Sequence, residues 1–390
     1  MLKDFSLHLP TKVYFGHGAL SHLGPALSEF GPRVLLVYGK GAIKRIGLYE
    51  TVMRILAASG KTVFELEGVS PNPRYSEVLR GVSIVKENKI DFILAVGGGS
   101  VIDCAKAISA SAFCRGNSWK KYWVDLRPLD HKVVPIGAVV TLAGTGSELN
   151  SCSVITNEEA EIKEGRVFPP SLCPRFAILQ PEITYSLPPY QMACGIFDAL
   201  SHMMEQYFSG KDDNVTDYIL EGLMEALIRA ARTAMKDPEN YEARSNIMWC
   251  AAMALNCISG ASKDGDWEVH AIEHQLGAAT DCAHGAGLAA ISIPYYRHIC
   301  GDGVERFARF ATRVFGVTAI GRSDLALAHL GIDRLENFVR ELDLPLSLKA
   351  LGATEKTLDF VVQTVELGGG YRFLSREEIG EILRQAYDAE

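Results

Sequence analysis

The sequence lacks what would tie it to a membrane, to nucleic acid or to an oxidising compartment. Its longest apolar runs, such as Val133 to Leu142, are too short to span a bilayer and are broken by Pro and Gly. There is no basic cluster, and Lys plus Arg total 39 against 47 Asp plus Glu, a net charge of −8. A phosphate backbone is therefore a poor partner. The nine cysteines are odd in number and contain no CxxC pair, which excludes a disulfide framework and a tetrathiolate zinc site. The first residues, MLKDFSLHLP, lack the apolar core of a signal peptide. No internal repeat or low-complexity tract is visible. These absences lead us to expect a cytoplasmic protein with neither a nucleic-acid nor a membrane partner.

What is present is ordinary globular material: 390 residues, 48% hydrophobic and 22% charged. That length exceeds what one core usually organises, so two domains are expected, 1–187 and 188–390. In the first, short β-branched runs at Val34 to Tyr38, Thr62 to Leu66, Phe92 to Val96, Val133 to Val140 and Phe176 to Leu179 read as buried strands. Between them, Tyr49 to Ser59, Tyr75 to Glu87 and Val101 to Ala112 have helical periodicity. Alternation of this kind predicts an α/β domain with a parallel sheet covered on both faces. Beyond Pro188-Pro189 the β-rich runs vanish. Asp213 to Met235, Glu242 to Ile258, Ala286 to His298, Val304 to Phe315, Ser323 to Leu342, Thr357 to Glu366 and Arg376 to Ala386 predict an all-helical second domain.

Two windows in the second domain carry metal-ligand chemistry. In Gly195 to Tyr207, a helical Asp198 and His202 project an oxygen and an imidazole from one face. In Asp266 to Gly285, His270 and His274 repeat the i, i+4 spacing, and His284 follows a Gly-containing break. Spacing alone leaves a metal site and a set of hydrogen-bonded core histidines both open.

The first domain carries an anion site. Phe92 to Val96, then Gly97-Gly98-Gly99-Ser100, then Val101 to Lys106 is strand, glycine turn and helix start. A plain connecting turn is the other reading of these glycines. A second polar turn, Thr141-Leu142-Ala143-Gly144-Thr145-Gly146-Ser147-Glu148, follows the next strand and favours a nucleotide. After Val34 to Tyr38 stand Gly39 and Lys40, where an NAD-specific site would place a carboxylate on the ribose hydroxyls. Lys40 is read either as a phosphate-side charge, with Lys44 nearby, or as a solvated surface residue.

Taken together, Tyr14-Phe15-Gly16, Gly97-Gly-Gly-Ser-x-x-Asp103, Thr141-x-x-Gly-Thr-Gly-Ser-Glu148, Pro188-Pro-x-Gln191, Asp198-Ala-Leu-Ser-His202 and Asp266-Trp267 to His284 resemble the iron-containing alcohol dehydrogenases, in their NADPH-dependent butanol dehydrogenase and aldehyde reductase branch. The resemblance implies that Asp198, His202, His270 and His284 bind one divalent metal, nominally iron, with zinc an alternative. It places His274 beside the substrate, outside the four ligands; His274 is our catalytic candidate, read either as a proton relay, in place of a metal-linked water chain, or as a residue that orients its neighbours. It places Gly98, Gly99, Ser100, Asp103, Thr141, Thr145 and Ser147 around NADP(H), with Asn72 close by; Gly97 and Leu142 belong to the same two turns, and Gly39 and Lys40 to the ribose side. It further implies a homodimer acting on a small aldehyde or primary alcohol, mainly in reduction. Two positions depart from the pattern: Gln180 stands where an aspartate is expected, and Lys163 is the candidate for a phosphate-side lysine. A dehydroquinate-synthase-like metal- and NAD-dependent lyase is the competing enzyme class, disfavoured because Asp266 to His284 contains no Lys or Arg. A non-catalytic metal- or nucleotide-binding protein is the other alternative.

Overall fold

A computed structural model of the chain describes residues 2–209, 214–366, 368 and 370–389. The chain forms two compact units, His8–Leu187 and Met1–Leu7 with Pro188–Glu390. The first residues join the second unit, where the Lys3 N–H donates to Ser262 Oγ at 2.5 Å and the Lys3 ammonium meets Asp264.

In the unit His8–Leu187 the chain runs β1 (Lys12–Phe15), α1 (Leu23–Leu27), β2 (Arg33–Gly39), α2 (Ala42–Arg45), α3 (Leu48–Ala58), β3 (Thr62–Val69), α4 (Tyr75–Asn88), β4 (Phe92–Gly97), α5 (Gly99–Ser111), β5 (Ile136–Val140), β6 (Cys152–Asn157), β7 (Ile162–Val167) and β8 (Phe176–Leu179). Six strands form one sheet in the order β1-β8-β5-β4-β2-β3, and every pairing in it is parallel. The central strands are uninterrupted apolar runs because helices cover both faces, so no residue of β4 or β5 reaches solvent. Phe92 stacks on Phe176 at 5.6 Å and packs against Phe30 at 4.3 Å, joining three separate segments in one core.

Two sequence expectations shift here. The strand expected from Val133 begins at Ile136, because Pro135 has no N–H to donate and contributes only its carbonyl, which accepts from Ile93 at 2.9 Å. The antiparallel pair β6–β7 was not foreseen; β7 is short and polar, with one face wet, and carries no apolar run to mark it. Gln180, the departure from the family pattern, accepts the Leu20 N–H through Oε1 at 3.1 Å.

The other unit is helical: α6 (Pro189–Tyr207), α7 (Val215–Ala234), α8 (Tyr241–Ala254), α9 (Glu268–Thr280), α10 (His284–Ile299), α11 (Val304–Arg313), α12 (Asp324–Glu341), α13 (Glu355–Thr364) and α14 (Arg376–Tyr387). Asp213, where the first predicted helix would start, lies outside the described residues. Every residue of α6 from Met192 to Tyr207 is buried, so this helix is enclosed on all sides. Helix α8 stops before the expected Ile258. The Asn256 side chain accepts from the Ile258 N–H at 2.8 Å, a local turn that competes with continuing the helix. No helix among the described residues is long and apolar enough to cross a membrane.

Candidate functional site

The glycine turn at the end of β4 is shaped by contact rather than by unusual backbone angles. A Cβ on Gly97 would lie 2.4 Å from Val101, one on Gly98 3.1 Å from Leu142, and one on Gly99 2.3 Å from the Thr145 side chain. Helix α5 begins with Gly98 as its N-cap and no side-chain cap, so its first amides face outward without a built-in acceptor. Because β5 pairs with β4, the Thr141 N–H donates to Gly97 O at 3.0 Å and the two polar turns lie side by side. Ser100 Oγ donates to Pro71 O, drawing the segment of Asn72 to the same helix start.

Asp103 and Ser147 are placed differently from their neighbours in the motif. Both are buried, and Ser147 Oγ donates to Asp103 Oδ1 at 2.5 Å, while Asp103 Oδ2 accepts the Val154 N–H at 3.0 Å. Beside Ser147 sits Lys106, fully buried, donating to Ser147 Oγ at 2.7 Å, Asn150 Oδ1 at 3.1 Å and Cys152 O at 2.7 Å. Burial pushes the Asp103 carboxyl up and the Lys106 ammonium down, each opposed by the other's charge. Lys106 escaped the sequence reading; its one signal was a lysine, i+3 from Asp103, on an otherwise apolar helix. Lys163 is also buried, on β7.

Gly39 closes β2, and a Cβ there would meet Val69 O at an ordinary 3.5 Å, so a larger residue is sterically admissible. Lys40 is exposed. Lys44, expected to add attraction beside the ribose, instead pairs with Glu67 at 2.9 Å and lies 5.2 Å over the Tyr38 and Tyr49 rings.

In the helical unit, α6, α9 and the start of α10 bring four predicted ligands together. One ligand-capable atom from each of Asp198, His202 and His270 lies within 4.8 Å of the others, all three residues buried. Around Asp198 Oδ1 stand His202 Nδ1 at 3.3 Å, His284 Nε2 at 3.7 Å and His270 Nε2 at 4.0 Å. Close approach of α6 to α10 requires Gly285, whose Cβ would fall 2.0 Å from Cys194 O. His202 Nδ1 and His270 Nε2 are buried nitrogens with no hydrogen-bond partner among the described residues. Burial, reinforced by the His270 and His284 charges, holds His202 well below its ordinary pKa and therefore neutral. For His270, burial works downward most strongly, but Glu205, Asp198 and Glu273 together oppose it, and the net direction is up. Neutral or displaceable imidazoles, a carboxylate and orphaned nitrogens aimed at one point fit a divalent cation.

Two carboxylates that the sequence reading passed over stand behind these rings. Glu205 bonds His270 Nδ1 and Glu273 bonds His284 Nδ1, and neither acid has exposed side-chain surface. Their only sequence signal was position: Glu205 lies three residues after His202, and Glu273 three after His270. His274 is half-buried, its ring centroid 5.8 Å from that of His284 and 6.3 Å from that of His270, and its ligand atom groups with Glu273 and His284 rather than with Asp198.

The model of the family "Iron-containing alcohol dehydrogenase" matches residues 10–181, and that of its C-terminal region matches residues 192–387. The probable NADH-dependent butanol dehydrogenase 1 of Bacillus subtilis is 40% identical over 387 residues, covering 98% of this chain and 99% of that protein. The NADPH-dependent aldehyde reductase YqhD of Escherichia coli is 33% identical over 391 residues, covering 100% of both. The crystal structure of NADH-dependent butanol dehydrogenase A from Thermotoga maritima superposes with a TM-score of 0.93 at 34% identity, covering 99% of each chain. The fold and these relatives define the class, a metal-dependent oxidoreductase. Within it, the chain belongs to the iron-containing alcohol dehydrogenase family.

Proposed function

We propose that the protein interconverts aldehydes and primary alcohols, mainly by aldehyde reduction, with NADP(H) as cofactor and one divalent metal, iron in the first instance. The observation that carries this reading is the convergence of His202, His270 and His284 on Asp198 Oδ1, within 3.3–4.0 Å. Asp198, His202, His270 and His284 would hold the cation. When bound, the cation supplies Lewis acidity toward a carbonyl oxygen and the nicotinamide supplies or accepts hydride. His8–Leu187 is read as the dinucleotide-binding domain and Pro188–Glu390 as the metal and substrate domain.

In that scheme the amides of Gly98, Gly99 and Ser100 at the α5 N-terminus, with the Thr141 hydroxyl and the Thr145 amide, bind the cofactor phosphates, the Thr141 N–H being held by Gly97 O. Gly97 and Leu142 keep the two turns in contact, and Asn72 lies at their margin. Asp103 and Ser147 act from beneath, holding the second turn to α5. His274, outside the four ligands, would serve as the general acid that gives the alcohol product its proton. Gly39 contributes no carboxylate of its own on the ribose side, so that position adds no like-charge repulsion toward a 2′-phosphate; Lys40 adds at most the ~0.2–1 kcal/mol of an exposed ion pair. The nine free thiols suit a reducing cytoplasm, and a homodimer is the expected assembly, measurable by sedimentation.

The test is steady-state reduction of an aldehyde panel by NADPH and NADH, using protein stripped of metal and reloaded with defined ions. Turnover should vanish on verified demetallation and return with one ion per chain. NADPH should be preferred by about tenfold in kcat/KM, roughly 1.4 kcal/mol. Full turnover without metal would end the Lewis-acid reading, and equal kcat/KM with NADH would end the cofactor preference.

A further inference from the structure

Helix α9 begins in an unusual way. Its N-cap residue, Trp267, is left-handed at φ 63° and offers no side-chain cap, although a bulky residue rarely adopts that conformation. The exposed-amide problem of a helix start must be solved from elsewhere. Glu205 solves it from α6: one carboxylate oxygen accepts the Val269 N–H at 2.9 Å and the His270 N–H at 3.3 Å, and the other bonds His270 Nδ1. The Glu205 backbone carbonyl also accepts the Asp266 N–H at 2.8 Å. A single residue thus grips both the turn before α9 and the ring that α9 presents.

We infer that Glu205 is a positioning residue for the metal: it fixes the His270 ring with its proton on Nδ1, leaving the Nε2 lone pair directed toward Asp198, and anchors the helix that carries the ring. A carboxylate only accepts, so the Nδ1 it faces must donate. The nitrogen left over, Nε2, is buried, has no hydrogen-bond partner among the described residues, and lies 4.0 Å from Asp198 Oδ1. Outer carboxylates of this kind orient ligating imidazoles and raise their basicity. The His202 ring, 4.5 Å from that of His270, is confined with it under Trp267, which lies 6.3 and 5.7 Å from the two ring centres.

Glu205→Gln separates the two duties. The amide oxygen still accepts the Val269 and His270 N–H groups, but the amide NH₂ then faces Nδ1 and drives the ring proton to Nε2, where it opposes the cation. The inference rests on the metal site proposed above, and the experiment distinguishes the two. Metal affinity is measured by competition with a chromophoric chelator, alongside the unfolding midpoint of the metal-free proteins. The parent should bind one cation per chain and Glu205→Gln should bind it about 10–100-fold more weakly. A purely architectural role would instead lower the metal-free midpoint and leave the dissociation constant within about twofold, which would overturn the inference. Nitrogen-15 spectra of histidine-labelled, metal-free protein at mildly alkaline pH give a second readout that holds if the variant does not fold. Nδ1–H is expected for His270 in the parent, and Nε2–H there overturns the inference. If the parent binds no metal, the proposed function falls while the tautomer measurement still decides what Glu205 does.

Discussion

The glycine turns of the α/β unit and the Asp–His cluster of the helical unit are both polar sites inside apolar scaffolds, but they are made from different parts of the chain. In the turns, on the proposed reading, the groups offered to a cofactor are backbone amides, and side chains matter mainly by being small or by bracing them, as Gly99 against Thr145 and Lys106 on Ser147 do. In the cluster the side chains carry everything, and the rings of His270 and His284 are each steadied by a buried acid behind them. A backbone site tolerates changes of residue type and fails when shape fails. A side-chain site tolerates little change at its few ligand positions.

The largest effect that sharpens this contrast is at a ligand. His270→Ala should abolish metal binding and lower kcat/KM by about 10³-fold or more, the equivalent of several kcal/mol of lost polarisation, with the fold retained. His274→Ala should keep its metal and lose about 10²-fold, as for removal of a general acid. Elemental analysis with kinetics on both variants checks the pair; metal retained in the first, or lost in the second, reverses their roles.

Next comes the strut beneath the turns. Lys106→Met removes three hydrogen bonds and the positive charge that opposes the burial of the Asp103 carboxylate, so the domain should lose about 3–5 kcal/mol, as when a buried charge is left uncompensated. Urea denaturation of cofactor-free protein measures this. A loss below about 1 kcal/mol would show that solvent reaches the network.

The smallest change concerns selectivity at the end of β2. Gly39→Asp has room for its Cβ and should move preference toward NADH by about tenfold, roughly 1.4 kcal/mol, by accepting from ribose hydroxyls and repelling a 2′-phosphate. The ratio of kcat/KM with the two cofactors reads it directly. An unchanged ratio would show that residue 39 does not face the ribose. Lys44 is not counted on either side, since Glu67 already holds it.

What the sequence determined by itself is whatever depends on local periodicity. Buried strands and helices in alternation, then helices alone, are legible because the faces of an element are set by spacing of 2 or 3.6 residues. The i, i+4 spacing puts Asp198 and His202 on one face of α6 for the same reason, and a glycine run between strand and helix marks a turn at the sheet edge. What only the tertiary structure decided are relations between segments far apart in the chain. That the imidazoles of α9 and α10 reach the carboxylate of α6, that Glu205 grips the start of α9, and that Lys106, Asp103 and Ser147 share one buried network are of this kind. The physical reason is the cost of burying charge: an acid or a lysine on an apolar helix is tolerable only with partners, and those partners come from elements that local spacing does not specify. The β6–β7 pair was hidden for a related reason, since a short polar strand is held by its neighbour's hydrogen bonds and by no pattern of its own.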